Sequence, residues 1–376
     1  MTGPLVTVGV PVYRGQDMLP VTLECLRTQT YGNLDVLISV DGSDSPSIEA
    51  CKPFLSDPRF RLHVQPARLG WAGNHDWTVR ARRGEFYIYQ QHDDQVSPDY
   101  VEALVAAALQ WPRASICFSK VKITGLQNRI NRSGSCLGDP IARALRYMER
   151  LDTIMLRGLM RSSALSGTSG LMVNEFEGYG SEYRFLAEMA LAGEFRFVEG
   201  PTYYKRVHGK NLHLKWYSWP PERKRDAWVL LAASMIEVIV PIGASPDERW
   251  RLLYAVFERF LFSRGWLSGS RNRARSLYKS ERRRLRRLLL ALIDRVRNND
   301  TINAWLLQNS RHMFYQADTS DPAAHDKLLR AMIERLRSNG RFDPGLVLQS
   351  DWATLHRRAA AELGLAGIAQ DKSFGI

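Results

Sequence analysis

The sequence predicts an α/β fold with a mainly parallel sheet over residues 1–215, followed by an α-helical region over 216–376. Three observations carry this. Short apolar runs rich in β-branched residues recur through the first half. Segments with helical apolar spacing, each about ten residues long, separate them, which is the signature of βαβ units. Past residue 215 the strand pattern stops, and the Pro- and Trp-containing stretch KWYSWPPERKRDAW marks the change.

Residues 5–12 (LVTVGVPV) are nearly all apolar, as a strand buried on both faces must be. Residues 18–27 place Met18, Leu19, Val21, Leu23 and Leu26 at helical spacing. Residues 34–40 (LDVLISV) give a second strand and residues 59–64 a short third. A helix is expected over 72–81 and a fourth strand over 85–89. Residues 98–109 read as a helix with Ser97 as its cap and Pro98 at the first helical position. Residues 115–123 form a fifth strand.

In open α/β sheets, ligands bind at the carboxyl ends of the strands. The stretches after the strands are therefore the candidate ligand loops: Pro11-Val12-Tyr13-Arg14, Asp41-Gly42-Ser43-Asp44, residues 65–70 and residues 90–94. The last of these poses a problem. The apolar run FYIY leads into Gln90, Gln91, His92, Asp93 and Asp94, and two adjacent carboxylates repel unless a cation or water screens them. No Gly-x-Gly-x-x-Gly follows the first strand and no P-loop occurs, which argues against a dinucleotide oxidoreductase and a P-loop NTPase.

Composition narrows the class further. The chain has 376 residues, 45% hydrophobic and 24% charged, enough to bury a sizeable core. Its four cysteines, Cys25, Cys51, Cys117 and Cys136, are far apart and form no C-x-x-C, so a reducing compartment is expected. The N-terminal residues show no signal-peptide pattern. Residues 228–243 reach at best the minimum length of a membrane span and carry Glu237 and Pro241, so they read as a buried helix. A cytoplasmic protein is expected. Of the net charge of +13, residues 1–215 hold 25 Lys+Arg against 22 Asp+Glu, and residues 216–376 hold 27 against 17. The electrostatic message therefore lies in the second half.

Several motifs, in order, resemble the family 2 glycosyltransferases. VTVGVPVYRGQDMLPVTLECLRTQTYGNLDVLISVDGSD carries Pro11-Val12-Tyr13, Gln29-Thr30-Tyr31 and Asp41-Gly42-Ser43, with Arg14 where the family has Asn. RLGWAGNHDWTVRARRGEFYIYQQHDD resembles the next block, ending in the acidic metal motif. SEYRFLAEMALAGEFRFVEGPTYYKRVHG resembles a Glu-Asp-Tyr helix, a strand and Arg-x-His. The likeness covers about residues 5–212 and implies a GT-A fold, a nucleoside diphosphate sugar as donor, a divalent cation (Mn²⁺ or Mg²⁺) and inverting transfer to a hydroxyl on a glycan or lipid-linked glycan.

The resemblance implies a role for each residue, and elementary chemistry supports it. Asp93 and Asp94, with His208, would hold the cation, which neutralises the departing diphosphate. An acidic turn before a helix is the plainer reading of the same pair. Gln91 stands where the family has its first Asp, which shifts the load to Asp93. His92 is a softer ligand or a strand-end imidazole bonded to backbone. Asp41 would contact base or ribose, although Asp-Gly is also an ordinary turn. Pro11 and Tyr13 would border the base, with Tyr13 either stacking or packed in the core. Arg68 and Asn74 would lie along the nucleotide, and Arg206 near the diphosphate, with Lys205 and Lys210 beside it. Glu182, where the family has Asp, would be the general base. Alternatively it is a surface acid favoured by the helix dipole, and Glu188, Glu175 and Glu177 are then the substitutes. Ser181 stands in place of the family's Glu. Residues 163–173 would face the acceptor.

In the second half, residues 281–297 (ERRRLRRLLLALIDRVR) align Leu285, Leu288, Leu289, Leu292, Ile293 and Val296 in one stripe, with Arg282, Arg283, Arg286 and Arg287 off it. Such a helix either packs on its neighbours or meets an anionic membrane at the inner face of the cell membrane. No nucleic-acid motif accompanies it. Two other readings remain open at this stage: a nucleotidyltransferase, although PVYRGQDMLP lacks the Gly-rich basic first loop, and a non-catalytic GT-A-like binding protein.

Overall fold

The computed structural model describes residues 3–257 except residue 210, together with residue 259. The basic helix expected at 281–297 lies outside the described residues, as does Lys210. The chain divides into two compact units, Met1–Pro220 and Pro221–Ile376.

The first unit is built on one nine-stranded mixed sheet. Its elements in chain order are β1 (Val6–Val12), α1 (Leu19–Arg27), β2 (Leu34–Val40), α2 (Ser45–Cys51), β3 (Phe60–Val64), α3 (Gly70–Arg80), β4 (Phe86–Tyr89), β5 (Gln95–Val96), α4 (Tyr100–Gln110), β6 (Ala114–Gly125), β7 (Arg129–Asn131), α5 (Pro140–Arg150), β8 (Leu159–Arg161), α6 (Ser162–Leu165), α7 (Ser181–Ala192), β9 (Glu194–Val207) and α8 (Leu212–Tyr217). Of the second unit, the described residues form α9 (Pro221–Ile239) and α10 (Pro246–Phe257). Among the described residues, no helix is long and apolar enough to cross a membrane.

The strands run in the order β3-β2-β1-β4-β8-β6-β9-β5, with β7 paired to β6. The β3-β2-β1-β4 half is wholly parallel, as expected. The other half is mixed: β8 is antiparallel to both β4 and β6, while β6 and β9 run parallel. Burial explains the first half. Every residue of β2 is buried, and Val6, Val8, Val10 and Val12 of β1 are 0–1% exposed. Helix packing on both faces removes each side chain from water, at roughly 25 cal/mol per Å² of apolar area. Asp35 is the charged exception within β2. It accepts from the Thr7 hydroxyl at 2.8 Å and from the Arg61 guanidinium at 2.6 and 3.0 Å, so its carboxylate is paired on three sides.

The helix expected at residue 98 begins two residues later, and Ser97 does not cap it. Ser97 instead accepts from the Thr202 N–H at 3.1 Å and donates to Asp99 at 2.6 Å. The short strand β5 and its pairing with β9 claim the serine first. Helices α2 and α5 and the strands β7 and β8 have no counterpart in the sequence reading. Helix α5 follows Asp139, which caps it by accepting from the Ala142 N–H at 2.9 Å, with Pro140 at the first turn. That signal was present in the chain and went unread. Helix α2 likewise follows Asp44 and carries Pro46 in its first turn, whereas the three-residue strands β7 and β8 are too short for their pattern to stand above turns.

Candidate active site

Two adjacent acids at the end of β4 face opposite ways. The turn Gln90–Asp94 is pinned from beneath by α1: the Thr22 hydroxyl donates within reach of the carbonyls of His92 and Asp94, at 2.8 and 2.9 Å. The Gln90 amide also donates to the Asp94 carbonyl, at 2.9 Å. With the backbone fixed, Asp94 turns inward and is 0% exposed. Its carboxyl accepts from the Tyr203 hydroxyl at 3.0 Å and from the Arg206 N–H at 2.8 Å, both on β9. Burial, with the charge of Asp93 next, pushes its pKa up to about 7. Asp93 turns the other way, 9% exposed. Its Oδ2 lies 2.8 Å from His208 Nε2 and accepts from the Asn211 amide at 3.1 Å. Asn211 Oδ1 in turn accepts from the His208 backbone N–H at 2.6 Å, and its amide nitrogen lies 3.2 Å from the ring Nε2, so the turn after β9 holds the imidazole in place.

The metal set named from the sequence therefore divides. Asp93 and His208 form one face, while Asp94 is occupied by β9 and acts from behind. A carboxylate oxygen with an imidazole nitrogen beside it fits a divalent cation such as Mn²⁺ whose remaining positions are filled by phosphate oxygens and water; Mg²⁺ would lean on the carboxylate, phosphate and water oxygens and make less use of the imidazole. Among the described residues, no group of three or more His, Cys, Asp and Glu is gathered to hold a metal by itself.

Glu182 lies in the first turn of α7, after Gly180 in the left-handed region (φ 76°), whose missing side chain lets the chain enter the helix sharply. The Ser181 hydroxyl fixes that entry by donating to the Met172 carbonyl at 2.5 Å. The Glu182 side chain is half-buried, yet its Oε2 is enclosed with no hydrogen-bond partner. Burial raises its pKa to about 7, opposed by hydrogen bonding to its own backbone and by the charges of Arg157 and Lys205. The substitute acids are otherwise engaged. Glu188 accepts from the Ser169 N–H and hydroxyl at 2.7 and 2.6 Å and pairs with Arg184 at 3.2 Å. Glu177 pairs with Lys215 at 2.7 Å, and Glu175 is exposed.

Two cations complete the centre. Lys205, on β9, lies among Arg157, Asp94, Asp93 and Glu182, and Arg157 first, then burial, lowers its pKa to about 8. Arg157, 7% exposed, donates to Gln91 Oε1 at 3.2 Å and to the Thr153 carbonyl at 3.3 Å, with its guanidinium 5.5 Å from the Tyr203 ring centre. Gln91, the neutral amide in the acidic motif, is thus a partner for a buried arginine. Sequence reasoning missed Arg157 and Asn211. Asn211 stands three residues past His208, a spacing that invited attention. Arg157 had no local signal except its setting, a lone charge in IMLRGL.

The residues expected around the nucleotide separate by depth. Pro11 and Tyr13 are half-buried where β1 ends. The Arg68 guanidinium sits 3.9 Å from the Tyr13 ring centre, and that of Arg14 lies at 5.2 Å. The His92 ring lies against Gly15 of the same loop. Asp41 is buried and accepts from the Leu69 and Gly70 N–H groups at 2.6 and 3.0 Å, which ties the end of β2 to the start of α3. Burial raises its pKa, and these two amides hold it back. Asn74 is buried beneath that loop. It accepts from the Ser39 hydroxyl at 2.6 Å and donates to the Ser39 carbonyl at 2.9 Å. Arg206 touches the centre through its backbone N–H, which donates to Asp94 at 2.8 Å. Strand alternation puts Tyr203 and Val207 on the buried face of β9 and the Arg206 side chain on the other. Asn74→Ala is expected to cost about 1–3 kcal/mol of stability, because Ser39 and Gln65 lose a buried partner. Urea unfolding reads this directly.

Known proteins resemble this chain in sequence and in fold. Residues 7–165 match the family model of glycosyl transferase family 2. The protein EpsH of Bacillus subtilis (strain 168) is 26% identical over 223 residues, which cover 55% of this chain and 62% of that protein. Chondroitin synthase of Escherichia coli is 27% identical over 218 residues, 56% of this chain and 30% of the synthase. The chain thus spans less than two thirds of these relatives. The crystal structure of S. aureus TarS 1–349 in complex with UDP-GlcNAc superposes with a TM-score of 0.58 at 14% identity, covering 88% of this chain and 92% of that one. That likeness concerns the fold, which is of GT-A type.

Proposed function

We propose, from the match of residues 7–165 to glycosyl transferase family 2, that the chain transfers one sugar, with inversion, from a nucleoside diphosphate sugar to a hydroxyl on a glycan or lipid-linked glycan. The observation that carries this reading is the pairing of two sites around Lys205. On one side is the outward Asp93–His208 pair. On the other is Glu182, whose carboxyl oxygen lacks any hydrogen-bond partner.

Asp93 and His208 would hold a divalent cation. When bound, it would offset the charge gathering on the diphosphate as the anomeric C–O bond breaks. Asn211 holds both the backbone and the ring of His208, and Asp94 locks the turn to β9, so Asp93 needs little reorganisation to bind. Glu182 takes the acceptor hydroxyl proton as that oxygen attacks the anomeric carbon from the side opposite the diphosphate. A pKa near 7 suits this task, because the carboxylate is present at neutral pH and is still basic enough to accept the proton. Arg157 and Lys205 hold the centre's charge near balance. Tyr13 and Arg68 border the nucleotide, while Asp41 and Asn74 keep that wall rigid from below.

TarS in the superposed structure binds UDP-GlcNAc, so uridine nucleotides head the donor screen. The test is thermal shift and nucleoside diphosphate release across nucleotide sugars, with Mn²⁺, with Mg²⁺ and with chelator. One donor is expected to stabilise the protein and to turn over only with the cation. A donor that binds without turning over would support a non-catalytic binding protein instead. Pyrophosphate release from a nucleoside triphosphate and a sugar phosphate would support a nucleotidyltransferase.

A further inference from the structure

We propose that the hairpin of β6 and β7 docks the first unit on an anionic lipid surface, with Leu126 and Ile130 entering the interface and Lys122 and Arg129 meeting the lipid phosphates.

Every residue from 125 to 130 is exposed. Leu126 is 71% exposed and Ile130 57%. A single exposed aliphatic residue is ordinary, but two in one short hairpin form a patch that calls for a partner. The pairing register puts Ile130 opposite Lys122 and Arg129 opposite Ile123. Val121 and Ile123 are buried, so Lys122 and Ile130 share the outward face, while Arg129, paired opposite Ile123, lies on the other face and is exposed at the edge strand. Among the described residues, β7 pairs only with β6.

Charge points to the occupant. No acid occurs between Glu102 and Asp139, while Arg113, Lys120, Lys122, Arg129 and Arg132 all fall there. Arg132 pairs with Glu199 at 3.5 Å and Arg113 with Glu194 at 3.1 Å. Lys122 and Arg129 have no acidic partner among the described residues. A soluble polyanion would reward these cations but not the exposed Leu126 and Ile130. An anionic bilayer rewards both, because apolar side chains enter the boundary while basic ones meet the headgroups.

The hairpin is also held firm. The Leu126 N–H donates to the Val207 carbonyl at 2.9 Å. Gly125, at φ 88°, lets that carbonyl stand where a side chain would otherwise be. Residue 208, the next in the chain, is the imidazole beside Asp93. A docked hairpin therefore brings the candidate site to the membrane surface, which suits a hydroxyl acceptor carried on a lipid. That last step rests on the transferase reading, whereas the docking does not.

The test is co-sedimentation of the full chain with vesicles of phosphatidylglycerol and phosphatidylcholine, against phosphatidylcholine alone, at low salt and at 1 M salt. Two double variants are compared with the parent chain: Leu126→Ser with Ile130→Ser, and Lys122→Gln with Arg129→Gln. All four positions are exposed, and thermal melting checks that the fold is kept. The parent is expected to bind the anionic vesicles. The charge variant should bind about thirtyfold less tightly at low salt and lose most of its salt dependence. The apolar variant should bind roughly tenfold less tightly at both salts. Leu126→Trp should show blue-shifted emission on anionic vesicles. No binding by the parent, or binding by both double variants equal to the parent's, overturns the proposal. The second outcome would place any membrane contact elsewhere in the chain, with residues 281–297 the next to test. None of these measurements needs activity, so they fail or succeed separately from the transferase reading.

Discussion

Asp93→Asn is expected to abolish detectable transfer while the protein stays folded. The substitution keeps the shape and an oxygen to accept from the Asn211 amide, but it removes the charge that faces His208. If that charge holds a cation against the donor diphosphate, its loss forfeits several kcal/mol of leaving-group stabilisation, roughly a thousandfold in rate. The affinity for nucleoside diphosphate should fall in Mn²⁺ or Mg²⁺ and stay unchanged in chelator. Calorimetric titration under the two conditions reads the difference. An active variant, or a parent enzyme indifferent to chelator, would remove the metal role from Asp93.

Glu182→Gln should lower turnover by about a hundredfold to ten-thousandfold, the usual contribution of a general base, with donor affinity nearly unchanged. The pH profile gives a second check. The base acts only when deprotonated, so kcat/KM should rise with pH through about 7 in the parent enzyme and lose that limb in the variant. Stability should move the opposite way. The folded pKa of Glu182 is raised from an ordinary 4.5 to about 7, so the folded protein binds its proton more tightly than the unfolded chain does. The stability linked to that proton is fully present below about 4.5 and is lost as pH rises through about 7. Glutamine does not titrate. Relative to the parent, the variant should therefore melt higher at pH 8 than it does at pH 5. A variant within a few-fold of parental turnover would dismiss Glu182, and Glu188, Glu175 and Glu177 would be tested next.

The parallel half of the sheet was legible because its strands are buried on both faces. LVTVGVPV and LDVLISV have no polar face to confuse the pattern, and the helices between them keep a clear apolar period. The mixed half was much less so. β5, β7 and β8 are two or three residues long, and long-range pairing defines them more than local preference does. Ser97 shows the same limit. Its Ser-Pro context favours a helix start, yet pairing with Thr202, over a hundred residues away, takes its hydroxyl.

The sequence by itself determined the fold class, the order of the motifs and the types of side chain at the centre: adjacent acids after a strand, a glutamate opening a helix, and a histidine after the last strand. These follow from local pattern and residue chemistry, which are written along the chain. Only the tertiary structure decided which way each group faces. Asp94 turns inward because β9 offers it a hydroxyl and an N–H, and this leaves Asp93 to meet His208. Asn74 and Asp41 spend their polar atoms holding β2 to α3. Arg157, with no motif around it, reaches Gln91 from sixty-six residues away. Hydrogen-bond direction and burial arise from contacts between distant segments, and in a closely packed interior those contacts exist only once the sheet has closed.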